Sequence, residues 1–255
     1  MVVWVLARSV NNMSAQTKLP DPLDPSTRWQ PRGIGRRVAQ FLPSPVRRLL
    51  RRCVSWLTGQ PPPLAAHYPA EYYAQLDEWQ NRSYPVMARS VVKHFAARRV
   101  FDAGCGSGGL LVALREAGVA ECRGIDFSTA AVARCRERGL DVSFGDLSRR
   151  QPIDQRADLC ICFEVAEHLP AEAAEQLVEN LAGGPGLLLF TAAPPGQRGH
   201  MHLNEQPPSY WIEKLERRNF RHDAASTEAL RGEWGAADAD VAPWFVQNLL
   251  VFRRK

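Results

Sequence analysis

The 255-residue sequence has no apolar run near the ~20 residues that a membrane-spanning helix needs. Its opening, M-V-V-W-V-L-A-R, has a short apolar core with no basic residue before it, so a secretory signal is not expected. The six cysteines, at 53, 105, 122, 135, 160 and 162, include no C-x-x-C pair and no regular framework. That predicts reduced thiols in a cytoplasmic protein, most of them serving as small buried residues. No internal repeat is visible. Acidic residues are scarce at one end: residues 1–69 carry ten Lys/Arg and two Asp/Glu, a net +8, against −3 for the remainder. The basic isoelectric point therefore belongs to the N-terminal segment and not to the main domain.

What is present divides the chain in two. Residues 1–67 read as a basic, partly disordered extension: 1–43 show no sustained periodicity and are expected to be mostly disordered, and S-P-V-R-R-L-L-R-R-C-V-S-W-L-T-G follows at 44–59. Ser44 suits an N-cap, Pro45 the first turn and Gly59 the end of a helix over 44–58. Val46, Leu49, Leu50, Cys53, Val54 and Leu57 share one face, while Arg47, Arg48, Arg51 and Arg52 form another. Such a basic amphipathic helix suits an anionic membrane surface or a partner, or lies on the domain with its arginines in water; nucleic acid is disfavoured. Gln60–Pro63 is a stiff linker.

From residue 68 onward short apolar runs alternate with helical stretches. Strands are expected at Val100–Ala103, Arg123–Asp126, Val142–Phe144, Asp158–Phe163 and Gly186–Thr191. Helices are expected at Leu110–Glu116, Ala130–Glu137 and Ala171–Leu181. This alternation predicts an α/β domain over 68–255, a mostly parallel sheet with helices on both faces. The tail reads as a helix, Tyr210–Arg217, and two strand-like pieces, Phe220–Asp223 and Trp244–Phe252.

The loop V-F-D-A-G-C-G-S-G-G (100–109) follows the first strand and contains G-x-G-x-x-G at Gly104, Gly106 and Gly109. Alone it fits a dinucleotide fold. Asp102 argues against that. A carboxylate at the strand tip repels a pyrophosphate by about 4 kcal/mol at ~4 Å and an effective dielectric of 20. It attracts by the same amount the ammonium or sulfonium of S-adenosylmethionine, which has no phosphate. Asp126, at the end of the second strand, can accept from both ribose hydroxyls. Asp146, just past the third, can accept from an adenine amino group, with the backbone of Leu147 beside it. Any one of these acids could instead cap a helix or a turn.

D-A-G-C-G-S-G, G-I-D-F-S, F-G-D-L and F-E-V-A-E-H-L-P stand in order and spacing that resemble the class I S-adenosylmethionine-dependent methyltransferases, over roughly residues 68–255. The resemblance implies a Rossmann-like seven-stranded sheet with a C-terminal antiparallel hairpin. It implies that Asp102, Gly104 and Gly106 surround the methionine moiety, Asp126 and Phe127 hold ribose and adenine, Asp146 and Leu147 meet the adenine edge, and Phe163 and Glu164 border the methyl group. A-E-Y-Y-A-Q-L (70–76) resembles the segment that closes over the cofactor in such enzymes, with Tyr73 and Arg82 as candidates or as lid packing.

Within F-E-V-A-E-H-L-P, three readings stay open. Glu167 and His168 brace the loop; or His202 or His168 takes a hydroxyl proton as general base; or Glu164, Glu167, His168 and His202 bind Mg²⁺ or Mn²⁺. The last arrangement resembles that of ubiquinone-pathway O-methyltransferases and small-RNA 2′-O-methyltransferases. Either active reading favours oxygen as acceptor. The stretch 202–220 resembles a loop and helix of ubiquinone/menaquinone-type methyltransferases, with Asn204, Gln206, Tyr210 and Trp211 as acceptor-pocket candidates and Trp234, Trp244 and Phe245 as an aromatic wall. The expected activity is methyl transfer to a small hydroxylated metabolite, sugar or lipid-linked precursor. The alternatives are an NAD-type oxidoreductase and a non-catalytic cofactor-binding scaffold.

Overall fold

The structure, a computed structural model, describes residues 68–255. The helix expected at 44–58 lies outside the described residues. Two helices come first, α1 (Ala70–Gln80) and α2 (Ser83–Phe95). There follow β1 (Arg99–Ala103), α3 (Gly109–Glu116), β2 (Glu121–Asp126), α4 (Thr129–Glu137), β3 (Asp141–Phe144) and β4 (Leu159–Phe163). After two 3₁₀ turns, Ala166–His168 and Ala171–Ala173, come α5 (Ala174–Ala182), β5 (Leu187–Thr191), α6 (Pro208–Glu216), β6 (Phe220–His222), α7 (Ala224–Trp234), α8 (Pro243–Asn248) and β7 (Leu250–Arg254).

The strands form one seven-stranded sheet in the order β3-β2-β1-β4-β5-β7-β6. Adjacent strands from β3 through β5 pair in parallel, and β7 runs antiparallel to both β5 and β6. The period-two alternation of a strand sends successive side chains to opposite layers. Leu159 and Ile161 of β4 pack with Met87 and Val91 of α2, Leu111 and Leu114 of α3, and Leu230 of α7. Cys160 and Cys162 pack with Leu177 and Leu181 of α5 and Trp211 and Leu215 of α6. Both faces being covered explains why these strands are continuously apolar.

The tail departs from expectation in one respect. β6 and β7 pair antiparallel, but they are no tight hairpin, because α7 and α8 lie between them. The apolar stretch from Trp244 was expected to be strand throughout. Pro243 instead opens a helix there, where its fixed φ is preorganised, and only the second half joins the sheet. The antiparallel β7 between β5 and β6 also departs from the order of a dinucleotide-binding sheet, 3-2-1-4-5-6. The parallel strands end at one edge, and chain direction switches between β1 and β4, the place where such sheets open a crevice.

Candidate active site

A crevice continuous with solvent opens at that edge. All nine residues expected to hold the cofactor line it: Tyr73, Asp102, Gly104, Gly106, Asp126, Phe127, Asp146, Leu147 and Phe163. Glu164 and His168 line it too. Four carboxylates thus face the crevice, and its lining contains no Lys or Arg among the described residues.

Asp102 and Asp126 form its electrostatic centre. Asp102 is almost fully buried, and burial, reinforced by the neighbouring Asp126 charge, pushes its carboxyl up to about 8. Asp126 is also pushed up by burial, to about 6, and is held back by two backbone amides. Gly106 N–H donates to its Oδ2 and Ser128 N–H to its Oδ1, both at 2.8 Å. Those bonds fix the plane of the carboxylate. Ser128 also caps α4, accepting from Ala131 N–H.

The glycine loop bends for a reason unrelated to phosphate. Gly104 has φ +89°, and a Cβ there would strike the Val165 side chain. Gly109, the last of the pattern, sits under the ring of Tyr84, where a Cβ would lie 2.5 Å from Cε2. Two of the three glycines therefore make room for side chains of the domain itself. Asp146 combines two roles. It lines the crevice while its Oδ1 accepts from Ser148 N–H at 2.9 Å and Ser148 Oγ at 2.6 Å.

Of the four residues expected to bind metal, the structure brings three together. One ligand atom each from Glu167, His168 and His202 lies within 4.8 Å of the others. The loop reaches this far because Leu203 and Asn204 N–H both donate to the Glu167 carbonyl, at 2.7 and 3.0 Å. Glu167 is fully buried, and neither carboxylate oxygen has a hydrogen bond of ordinary geometry among the described residues. Burial, then the nearby Glu164 carboxylate, push it well above the usual carboxylate range. Such a group should be protonated or compensated by a cation.

Both histidines present Nδ1 to the protein. His168 Nδ1 lies 3.0 Å from Tyr68 Oη and 3.4 Å from the Met201 carbonyl. His202 Nδ1 lies 2.8 Å from Glu205 Oε1. An imidazole whose Nδ1–H is held by a carboxylate or carbonyl offers Nε2 as a ligand. Burial lowers His168 to about 4, so it is neutral, as a ligand must be. These residues fit a divalent ion.

Several expectations need correction. Glu164 stands beside the Glu167–His168–His202 trio and not in it, its carboxylate accepting from Asn248 Nδ2 at 3.2 Å and Gln197 Nε2 at 3.3 Å. Glu164 has φ +53°, an uncommon conformation for a residue with a side chain. His202 is among the trio but does not line the crevice. Arg82 points away, paired with Asp240 at 3.3 Å on the surface. Trp211 is buried under the sheet against Phe190. Asn204 is buried, accepts from Gln206 and does not line the crevice. Of the aromatic wall, Phe245 alone faces the crevice, with Trp234 and Trp244 behind it.

Sequence reasoning also missed supporting residues. Glu205 orients His202. Asn180 holds the loop after β3 through the carbonyls of Leu147 and Arg149, at 3.1 and 2.7 Å. Gly199 leaves the space that the His202 ring occupies. Of these only Glu205 carried a local signal, its spacing of three from His202.

Comparison with known proteins agrees with this geometry. Residues 100–183 match the methyltransferase domain family. The ubiquinone biosynthesis O-methyltransferase of Methylococcus capsulatus is 35% identical over 102 residues, covering 37% of this chain and 43% of that protein. The protein of the same name from Neisseria meningitidis serogroup C is 28% identical over 117 residues, 42% and 48% of the two chains. The chain spans less than half the length of these curated relatives. Among solved structures, magnesium protoporphyrin IX methyltransferase from Synechocystis with bound SAH superposes with a TM-score of 0.51 at 19% identity, over 69% of this chain and 83% of that one. A sugar N-methyltransferase from Streptoalloteichus gives 0.50 at 14% identity, over 69% and 88%. These structural likenesses concern the fold. Taken with the β3-β2-β1-β4-β5-β7-β6 sheet and the acid-lined crevice, the matched stretch 100–183 and the O-methyltransferase relatives support a class I S-adenosylmethionine-dependent methyltransferase domain.

Proposed function

We propose that residues 68–255 form the catalytic domain of an enzyme that transfers a methyl group from S-adenosylmethionine to a hydroxyl oxygen of a small molecule. The observation that carries this is the crevice lined by four carboxylates and no Lys or Arg among the described residues. It repels a diphosphate and suits a cationic nucleoside. Asp102 holds the ammonium, Asp126 accepts from the ribose hydroxyls, and Phe127 and Leu147 flank the adenine. S-adenosylmethionine supplies a methyl already activated on sulfonium, so the chain's main task is to orient an acceptor in line with it.

Oxygen is favoured because Glu167, His168 and His202 fit a divalent ion next to the crevice. A bound Mg²⁺ or Mn²⁺ lowers the pKa of a coordinated hydroxyl. As ligands, His168, kept neutral by burial, and His202, oriented by Glu205, would hold the ion through Nε2. The acceptor class is a hydroxylated metabolite, sugar or lipid-linked precursor. Supporting the last, the arginine-rich segment 44–58 suits an anionic membrane surface. Co-sedimentation with phosphatidylglycerol vesicles should fall when residues 1–60 are removed.

The decisive experiment incubates the full chain with labelled S-adenosylmethionine and a panel of phenols, sugars and amines. Label should pass to an O–H acceptor, stop with EDTA and return with Mg²⁺ or Mn²⁺. Transfer that persists in EDTA removes the ion, and transfer only to amines removes the oxygen assignment. Asp126→Ala should weaken S-adenosylhomocysteine binding by more than about tenfold, the scale of a lost charged hydrogen bond.

A further inference from the structure

α1 forms the outer wall of the crevice through Tyr72, Tyr73, Leu76 and Gln80. It lies outside the matched stretch 100–183. Within it, Tyr73, Asp77 and Gln80 are buried, and much of the rest faces solvent. Among the residues of α1 whose burial is described, Tyr73 is the one fully buried apolar side chain, so polar ties weigh heavily in holding the helix.

Its strongest polar tie is Asp77. This carboxylate, 4% exposed, sits one helical turn after Tyr73 and on the same face. Its Oδ2 accepts from Arg134 Nε at 2.9 Å and from Arg138 Nη2 at 2.6 Å, both on or just after α4. Its Oδ1 accepts from Ser107 Oγ. Arg138 Nη1 closes the ring by donating to the Ser107 carbonyl at 3.1 Å. One buried carboxylate therefore joins α1, the glycine loop and the end of α4.

The neighbouring residue of the loop makes the second contact. A Cβ on Gly106 would lie 3.7 Å from the Tyr73 ring, and Gly106 N–H is a donor to Asp126. Lid and loop thus meet at Tyr73–Gly106 and at Asp77–Ser107. Moving α1 off the crevice breaks both contacts and leaves a desolvated charge short of its partners, the expensive way to part an ion pair.

We propose that Asp77 is a positioning residue that latches α1 over the crevice and sets the residence time of the bound S-adenosyl ligand. This rests on the reading of the crevice as the S-adenosylmethionine site. Asp77 touches no ligand itself and acts through Tyr73 and the glycine loop.

The test loads the full chain with tritiated S-adenosylhomocysteine and follows its loss during a chase with unlabelled ligand. Asp77→Asn should speed release by about tenfold or more, since changes within one interface act mainly on the off-rate. Arg138→Gln should act in the same direction, and the double variant should release no faster than Asp77→Asn, because the two share one interaction. Thermal midpoints without ligand separate a latch from a brace: lowered midpoints with release within twofold of wild type overturn the proposal. If Asp77→Asn does not fold, Arg138→Gln and Arg134→Gln decide in the same way. A wild-type chain that retains no ligand defeats the cofactor reading and the latch with it. Wild-type retention with unaltered release in the variants defeats the latch alone.

Discussion

A carboxyl buried at the tip of β1, with its nearest charged influence another carboxylate, changes protonation when a cation arrives. Burial and then Asp126 hold Asp102 at about 8, so at pH 7 it is mostly protonated in the free protein. An ammonium placed against it favours the ionised form. Binding of S-adenosylhomocysteine at pH 7 should therefore release up to about one proton. Titration calorimetry in phosphate and in Tris will show it as an enthalpy that depends on the buffer's heat of ionisation. Asp102→Asn should abolish that dependence, and a buffer-independent enthalpy in the wild type contradicts the assignment. Asp126, at about 6, is already ionised there and contributes little. Asp102, Asp126 and Asp146 were legible in the sequence because each sits at the end of a strand, a placement that local spacing encodes. Asp77 and Asn248 were not, since their partners Ser107 and Glu164 lie 30 and 84 residues away and no spacing rule carries that information.

Strands show the same division one level up. The five parallel strands were placed to within two residues from short apolar runs bounded by glycine and charge. α7 was missed because Asp223 was read as the end of the strand Phe220–Asp223; its side chain instead caps the helix, accepting from Ser226 N–H at 3.1 Å. α8 was missed because the six residues Pro243–Asn248 are too few to show a helical period. The turn from β1 into α3 carries a prediction of its own. Gly109 opens α3 beneath the Tyr84 ring of α2, so the third glycine joins two helices and does not cradle a ligand. Gly109→Ala should destabilise the domain by about 1–3 kcal/mol, the range for overpacking, in chemical denaturation. The cost should shrink in a Tyr84→Leu background, which removes the ring. An equal cost in both backgrounds would assign it to backbone conformation. S-adenosylhomocysteine affinity, measured on the folded fraction, should change far less than with Asp126→Ala.

For the domain as a whole, an acid-lined crevice sets an opposition between function and stability that pH makes visible. Asp102 and Asp126 have folded-state values of about 8 and about 6, above the ordinary 3.8. Groups raised in this way add stability that is fully present below the unfolded value and is lost as pH rises through the folded one. His168 works the other way. Burial lowers it from 6.5 to about 4, so its contribution is present above 6.5 and lost as pH falls through about 4. Asp154, held at about 2 chiefly by Arg156, likewise loses its contribution only in acid. Between about pH 6.5 and 8.5 the histidine term is constant, and the buried acids dominate the trend. The thermal midpoint of the ligand-free chain should therefore fall across that interval when followed by scanning fluorimetry. Asp102→Asn should flatten the fall. Saturating S-adenosylhomocysteine should flatten it too, because its ammonium compensates the charge that burial penalises. A midpoint that holds level or rises in the free wild type would mean that Asp102 is already compensated, and the crevice would then lack the uncompensated carboxyl that a bound ammonium relieves.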